Sequence, residues 1–160
     1  MKQRIAILDE NGLKIKDITD VIETMDPLEG AVEFLDWLRE RTQIIIVSDT
    51  FTQFAGPLMK KLGRPTLFCN TLSINSDGMV KGYQLRQQEG KKRTVQALKS
   101  LDYKVTAFGD SYNDIGMLKE ADCAALFRPP KNVVQEFPEF EVTTDYDELK
   151  VILEKALSAF

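Results

Sequence analysis

Two stretches of this chain carry side chains whose types and spacing could act on phosphate. Gly109-Asp110-Ser111-Tyr112-Asn113-Asp114 follows the apolar run Lys104-Val105-Thr106-Ala107-Phe108, which puts two carboxylates and an amide at the carboxyl end of an expected strand. Mg2+ takes oxygen ligands in near-octahedral geometry, accepts one or two protein carboxylates, and completes its shell with water and substrate phosphate. Asp110 and Asp114 suit that need. Asp114 also falls in the first turn of the expected helix, where the helix dipole favours negative charge. Taken alone, the same hexapeptide is equally a tight turn with a capping aspartate. The other stretch, Gln43-Ile44-Ile45-Ile46-Val47-Ser48-Asp49-Thr50, has the β-branched run of a buried parallel strand and ends in two hydroxyls around a carboxylate. Ser48 and Thr50 could hold phosphate oxygens, or Asp49 or Thr50 could simply cap a helix beginning near Phe51.

A third element lies between these two. Gly90-Lys91-Lys92-Arg93 leads into an amphipathic helix with Val95, Leu98 and Leu101 on one face. Lys91 could neutralise phosphate as a point charge, with Lys92 taking its place if the register slips by one. A short basic run is also an ordinary solvated helix face, and a cation at a helix start opposes the dipole.

Taken as an ordered series, Ser48-Asp49-Thr50, then Lys91, then Gly109-Asp110 with Asn113-Asp114 resembles motifs two, three and four of the haloacid dehalogenase superfamily of phosphatases. Pro27-Leu28-Glu29-Gly30-Ala31-Val32-Glu33-Phe34, Val47-Ser48-Asp49-Thr50-Phe51 and Gly82-Tyr83-Gln84-Leu85-Arg86 narrow the likeness to the phosphoserine phosphatase branch, including its homoserine phosphotransferases. The resemblance implies a haloacid dehalogenase-like Rossmannoid α/β fold with helices on both faces of a parallel sheet. It also implies Mg2+ as cofactor and a small phosphorylated amino acid, phosphoserine, as substrate. Phosphate would pass through an aspartyl phosphate to water or to homoserine. In that scheme Asp110 would ligate the metal, while Asn113 and Asp114 would orient the metal shell and Lys91. Ser48, Asp49 and Thr50, with their backbone, would bind phosphate, and Lys91 would offset its charge. Arg86 is a candidate for the substrate carboxylate or for closing the site, against the plainer reading of an exposed strand arginine. Arg128, near another strand end, reads as a solvated loop residue.

The same family opens with a strand ending in Asp-x-Asp or Asp-x-Glu, whose first carboxylate attacks phosphorus and whose second handles the leaving-group proton. The local candidate here is Ile5-Ala6-Ile7-Leu8-Asp9-Glu10-Asn11-Gly12, with Asp9 as the substitute nucleophile and Asn11 where the second acid should stand. An amide cannot serve as a general acid. The rival reading is a helix over 2–10 closed by Asn11-Gly12, followed by a second helix through Ile15, Ile18, Val21, Ile22 and Met25. Asp26-Pro27 would then supply the N-cap and first position of the next helix. Two helices fit better than a strand. They resemble part of the family's small cap, with Lys2 and Arg4 nearest the position where a basic side chain meets the substrate carboxylate. On this reading the nucleophile strand lies upstream of Met1, and its absence leaves two unpaired sheet edges.

The expected organisation is therefore a partial helical cap segment over 1–26 and a core domain over 27–160 that lacks its first strand. The core reads as helix 26–41, strand 43–47, helix 51–62 closed by Gly63, strand 66–70, helix 91–101, strand 104–108, helix 112–121 and strand 123–127. The alternation around Asp77-Gly78 signals a β-hairpin insertion near 71–86. A short helix at 132–137 and a last helix through Leu149, Ile152, Leu153 and Leu157 complete the pattern. With 160 residues, 43% of them hydrophobic, the chain has enough for one core and little more. A net charge of −4 disfavours nonspecific nucleic-acid binding, and the absence of histidine excludes imidazole triads. No apolar stretch is long enough to span a bilayer, so no membrane partner is expected and a cytoplasmic location is the default. Two rival functions remain: a noncatalytic phosphate- or metal-binding relic acting through partners, and a doubly wound binding domain of receiver or flavodoxin type.

Overall fold

The computed structural model describes residues 7, 8 and 10–159. Asp9, Lys2 and Arg4 therefore lie outside the described residues. The chain divides into two compact units, one ending at Gln88 and one beginning at Glu89.

In the first unit Ile7, Leu8 and Glu10 are helical, and the turn closes at Gly12. Helix α1 (Ile15–Glu23) follows. The next helix, α2, runs Ala31–Arg39 behind Gly30 at φ +80°, five residues later than the sequence suggests. Asp26 does not cap it. The Asp26 carboxylate instead accepts from Lys61 Nζ at 2.8 Å, and the same ammonium donates to the carbonyls of Glu23 (3.0 Å) and Met25 (2.6 Å). A lysine there satisfies carbonyls that the end of α1 leaves without partners.

Strand β1 (Ile45–Phe51) pairs in parallel with β2 (Thr66–Ile74), which returns antiparallel as β3 (Val80–Gln84) in the order β1-β2-β3. The expected hairpin turns at Asn75–Gly78, with Gly78 at φ +84° and Asn75 Oδ1 accepting from the amides of Asp77 and Met79. Helix α3 (Thr52–Lys61) follows β1 and packs on β1, β2 and α1. The apolar cluster of this unit joins Phe51, Leu72 and Val80 with Ile15, Phe54 and Tyr83.

The second unit runs α4 (Gly90–Ser100), β4 (Thr106–Gly109), α5 (Tyr112–Glu120), β5 (Cys123–Phe127), α6 (Lys131–Glu136), β6 (Glu141–Thr143) and α7 (Tyr146–Ala159). Its sheet is wholly parallel in the order β4-β5-β6. Val95, Ala107, Ile115, Leu118, Leu126 and Val133 form one apolar cluster, with Phe137 and Phe140 packed against it. Strand β6 was not foreseen: three residues give too short an alternation to read, and pairing with β5 is what makes them a strand. Arg128 is more firmly held than a solvated loop would require. Its amide donates to Thr143 O and its Nε to Thr144 O, each at 2.8 Å, and its guanidinium lies over Phe127 and Tyr146.

The architecture is α/β with parallel sheets and helices. Among the described residues, β1 and β4 each have a paired strand on one side only.

Candidate functional site

The second unit builds one cluster of polar groups where β4 gives way to α5. Ser111 is the N-cap of α5 and Asp114 its third residue, so the two form a reciprocal capping box. Asp114 Oδ2 accepts from the amides of Asp110 (3.1 Å) and Ser111 (3.0 Å) and from Ser111 Oγ (2.9 Å). Asp114 Oδ1 accepts from Lys91 Nζ at 2.7 Å. The Asp114 side chain is 7% exposed and that of Lys91 16%, so this pair is largely removed from water.

Burial alone pushes the Asp114 carboxyl upward. The hydrogen bond and charge of Lys91, together with the Ser111 bonds, outweigh it and hold the group below the usual carboxylate range. Lys91 sits in the first turn of α4, where the dipole disfavours a cation, and the Asp114 carboxylate compensates for that placement. Lys92 points elsewhere and pairs with Glu120 at 3.4 Å, so the structure places Lys91, not its neighbour, beside Asp114.

The capping and chemical readings of the hexapeptide thus meet in one residue. Asp114 accepts from four donors on its two oxygens, one of them Lys91 and three of them in its own turn. Asp110 and Asn113 are exposed at the same turn. Gly109, which composition did not single out, is what permits the packing: a Cβ there would lie 2.5 Å from Asp114 Cγ and 2.6 Å from its Cβ.

Among the described residues no group of three or more Cys, Asp or Glu is placed to enclose a metal. An ion held by one or two carboxylates plus water and phosphate oxygens needs no such group, and Asp110 is an exposed carboxylate at this strand end.

The first unit builds a separate cluster. The β1–β2 register passes from Val47↔Phe68 to Phe51↔Asn70, four steps along β1 against two along β2. Residues 48–50 therefore bulge out of the ladder, a distortion that re-aims backbone and side chains. They stay extended and do not cap α3, whose N-cap is Phe51. Ser48 Oγ accepts from the Thr50 amide at 3.2 Å, and the Asp49 carbonyl accepts from Asn70 Nδ2 at 3.1 Å. Ser48 and Thr50 are half-buried, and Asp49 is exposed. Arg86, also exposed, follows β3, with its guanidinium 4.9 Å from the centre of the Phe68 ring and its amide donating to Asn70 Oδ1 at 3.0 Å. Asn70 was overlooked in the sequence, where the signal was a polar amide inside an otherwise buried strand.

Three comparisons relate the chain to known proteins. A model of the haloacid dehalogenase-like hydrolases matches residues 2–122. Phosphoserine phosphatase ThrH of Pseudomonas aeruginosa is 56% identical over 158 residues, covering 99% of this chain and 77% of that protein. A phosphoserine phosphatase of Pseudomonas syringae pv. tomato is 57% identical over 150 residues, covering 94% of this chain and 63% of its own length. Among solved structures, a phospho-aspartyl intermediate analogue of phosphoserine phosphatase superposes with a TM-score of 0.71 at 24% identity, covering 89% of this chain and 70% of that one.

Proposed function

The chain belongs to the haloacid dehalogenase-like hydrolases, and from that membership we propose that it supplies most of the machinery of a phosphoserine phosphatase. The observation that carries the reading is the Asp114 carboxylate, buried and held by Lys91, Ser111 and two backbone amides while Asp110 stays exposed at the same turn. Such an arrangement fixes a lysine ammonium and a strand-end carboxylate for work on a phosphate dianion.

On this reading Asp110 would hold Mg2+, which when bound would draw charge from the phosphate oxygens. Asp114 sets the position of Lys91, and Lys91 offsets phosphate charge. Asn113, exposed at the same turn, would help to orient the metal shell. The hydroxyls of Ser48 and Thr50 take phosphate oxygens, and Arg86 takes the substrate carboxylate.

Transfer begins when an aspartate oxygen bonds to phosphorus and the bond from phosphorus to the seryl oxygen breaks, with that oxygen taking a proton. Water then displaces the aspartate, releasing phosphate and restoring the carboxylate. For the accepting aspartate the local candidate is Asp9. No described helix is long and apolar enough to cross a membrane.

The test is Mg2+-dependent phosphate release from phosphoserine by the parent chain, by Asp110→Asn and by Asp9→Asn. Release lost in Asp110→Asn but not in Asp9→Asn supports the full reading with an acceptor elsewhere, and loss in both makes Asp9 the acceptor. Phosphate binding without turnover favours a noncatalytic role through partners. Adding homoserine and assaying for its phosphate ester distinguishes transfer to an alcohol from transfer to water.

A further inference from the structure

Asn70 is only 8% exposed and lies in β2 opposite Phe51 of β1, a place ordinarily filled by an apolar side chain. A buried amide there must have its polar atoms answered. Its nitrogen donates to the Asp49 carbonyl and its oxygen accepts from the Arg86 amide. These partners fix the orientation, because a flipped amide would set oxygen against oxygen and N–H against N–H.

The peptide linking Asp49 to Thr50 is thereby held at both ends, its carbonyl by Asn70 and its N–H by Ser48 Oγ. A planar unit anchored at both ends cannot swing. Arg86 lies beyond the end of β3, where the ladder no longer grips the chain, and Asn70 supplies the missing acceptor. Phe68, which carries the Arg86 guanidinium, is two residues before Asn70 and so on the same face of β2.

We propose that Asn70 is a positioning residue that sets the spacing between two anion grips of this unit, the bulge at Ser48–Thr50 for phosphate and Arg86 for a carboxylate. The unit thereby selects a phosphomonoester that carries a carboxylate at a fixed separation. This rests on the phosphoserine assignment above and adds a basis for choosing among phosphate esters.

Calorimetric titration with phosphoserine and with phosphoethanolamine, which keeps the phosphate and amine but lacks the carboxylate, tests it. The parent chain is expected to prefer phosphoserine by about tenfold, the effect of one charge-assisted bond. Arg86→Gln and Asn70→Ala should each bring that ratio close to one, and Asn70→Leu, which keeps the core filled, should do the same if Asn70→Ala fails to fold. Amide exchange at Arg86 should rise in both Asn70 variants. A parent ratio near one, a preference that survives Arg86→Gln, or Asn70 variants that weaken both ligands by the same factor would each overturn the proposal. Equal binding of the two ligands by the parent sinks this inference and leaves the phosphate chemistry standing, whereas binding of neither sinks both.

Discussion

Replacing Lys91 by methionine removes the ammonium that faces Asp114 and leaves the apolar stem. Both side chains are largely out of water, at 16% and 7% exposure, so the pair belongs with buried ion pairs, where removing one partner costs about 3–5 kcal/mol. Three donors remain on Asp114 Oδ2, which places the expectation near the lower end, about 3 kcal/mol at ~pH 7. The pH dependence has a definite sign. In the parent the folded-state carboxyl lies below its unfolded value of about 3.9. Its contribution is therefore present above that value and lost as pH falls through the folded one. Without Lys91, the upward push of burial loses its main opponent, and the folded variant takes up a proton at higher pH than the folded parent. The stability gap between parent and variant should accordingly narrow as pH falls from ~7 towards ~4. Urea unfolding by far-UV circular dichroism measures the gap, with amide exchange at Ala107 and Leu126 as local probes of this unit. Trp37, the single tryptophan, belongs to the other unit and does not report on it. A gap below about 0.5 kcal/mol, within the range of an ordinary surface change, or one that does not vary with pH, would refute the reasoning.

Gly109→Ala forces a methyl group to 2.5 Å from Asp114 Cγ, and overpacking against a pinned carboxylate should cost about 1–3 kcal/mol in chemical denaturation; a neutral result would show that Asp114 can move. Gln53→Ala removes a side chain that donates to Leu72 O and accepts from Leu72 N, so about 1–2 kcal/mol should be lost and the Leu72 amide should exchange faster. Lys61→Met strips the cation from the end of α1, and about 0.3–1 kcal/mol should disappear at low salt, less at high salt. Asp114→Asn should weaken Mg2+ binding by about 10–100-fold through misplacement of its neighbours, as read by titration with the ion.

Much of this arrangement was legible because it is local. Strand β5 falls where its apolar run begins and ends, and α4, α5 and the hairpin follow from their spacing and from Asp77-Gly78. The ordered series of Ser48, Lys91 and Asp110 named the family. What escaped depended on partners distant in sequence. Asp26-Pro27 looks like a helix start, but Lys61, far along the chain, claims Asp26 and the carbonyls before it. Ser48-Asp49-Thr50 looks like a helix cap, but pairing of Phe51 with Asn70 keeps the chain extended past it. Asn70 gives no sign of its role in the sequence, because that role lies in Asp49, which the parallel pairing of β1 with β2 brings to it, and in Arg86, which the hairpin brings.

The order of the strands bears on how the chain acquires its structure. In both sheets every pairing joins strands consecutive in the chain, β1 with β2 and β2 with β3, then β4 with β5 and β5 with β6. Only the β2–β3 hairpin closes a short loop; each parallel pairing spans one intervening helix, and because closure entropy grows slowly with loop length each crossover adds a moderate cost confined to its own sheet. Each sheet can therefore form without waiting for the other. Refolding from urea should register separately on the fluorescence of Trp37 and on amide protection at Ala107 and Leu126, with rates that respond independently to substitutions in the two halves of the chain.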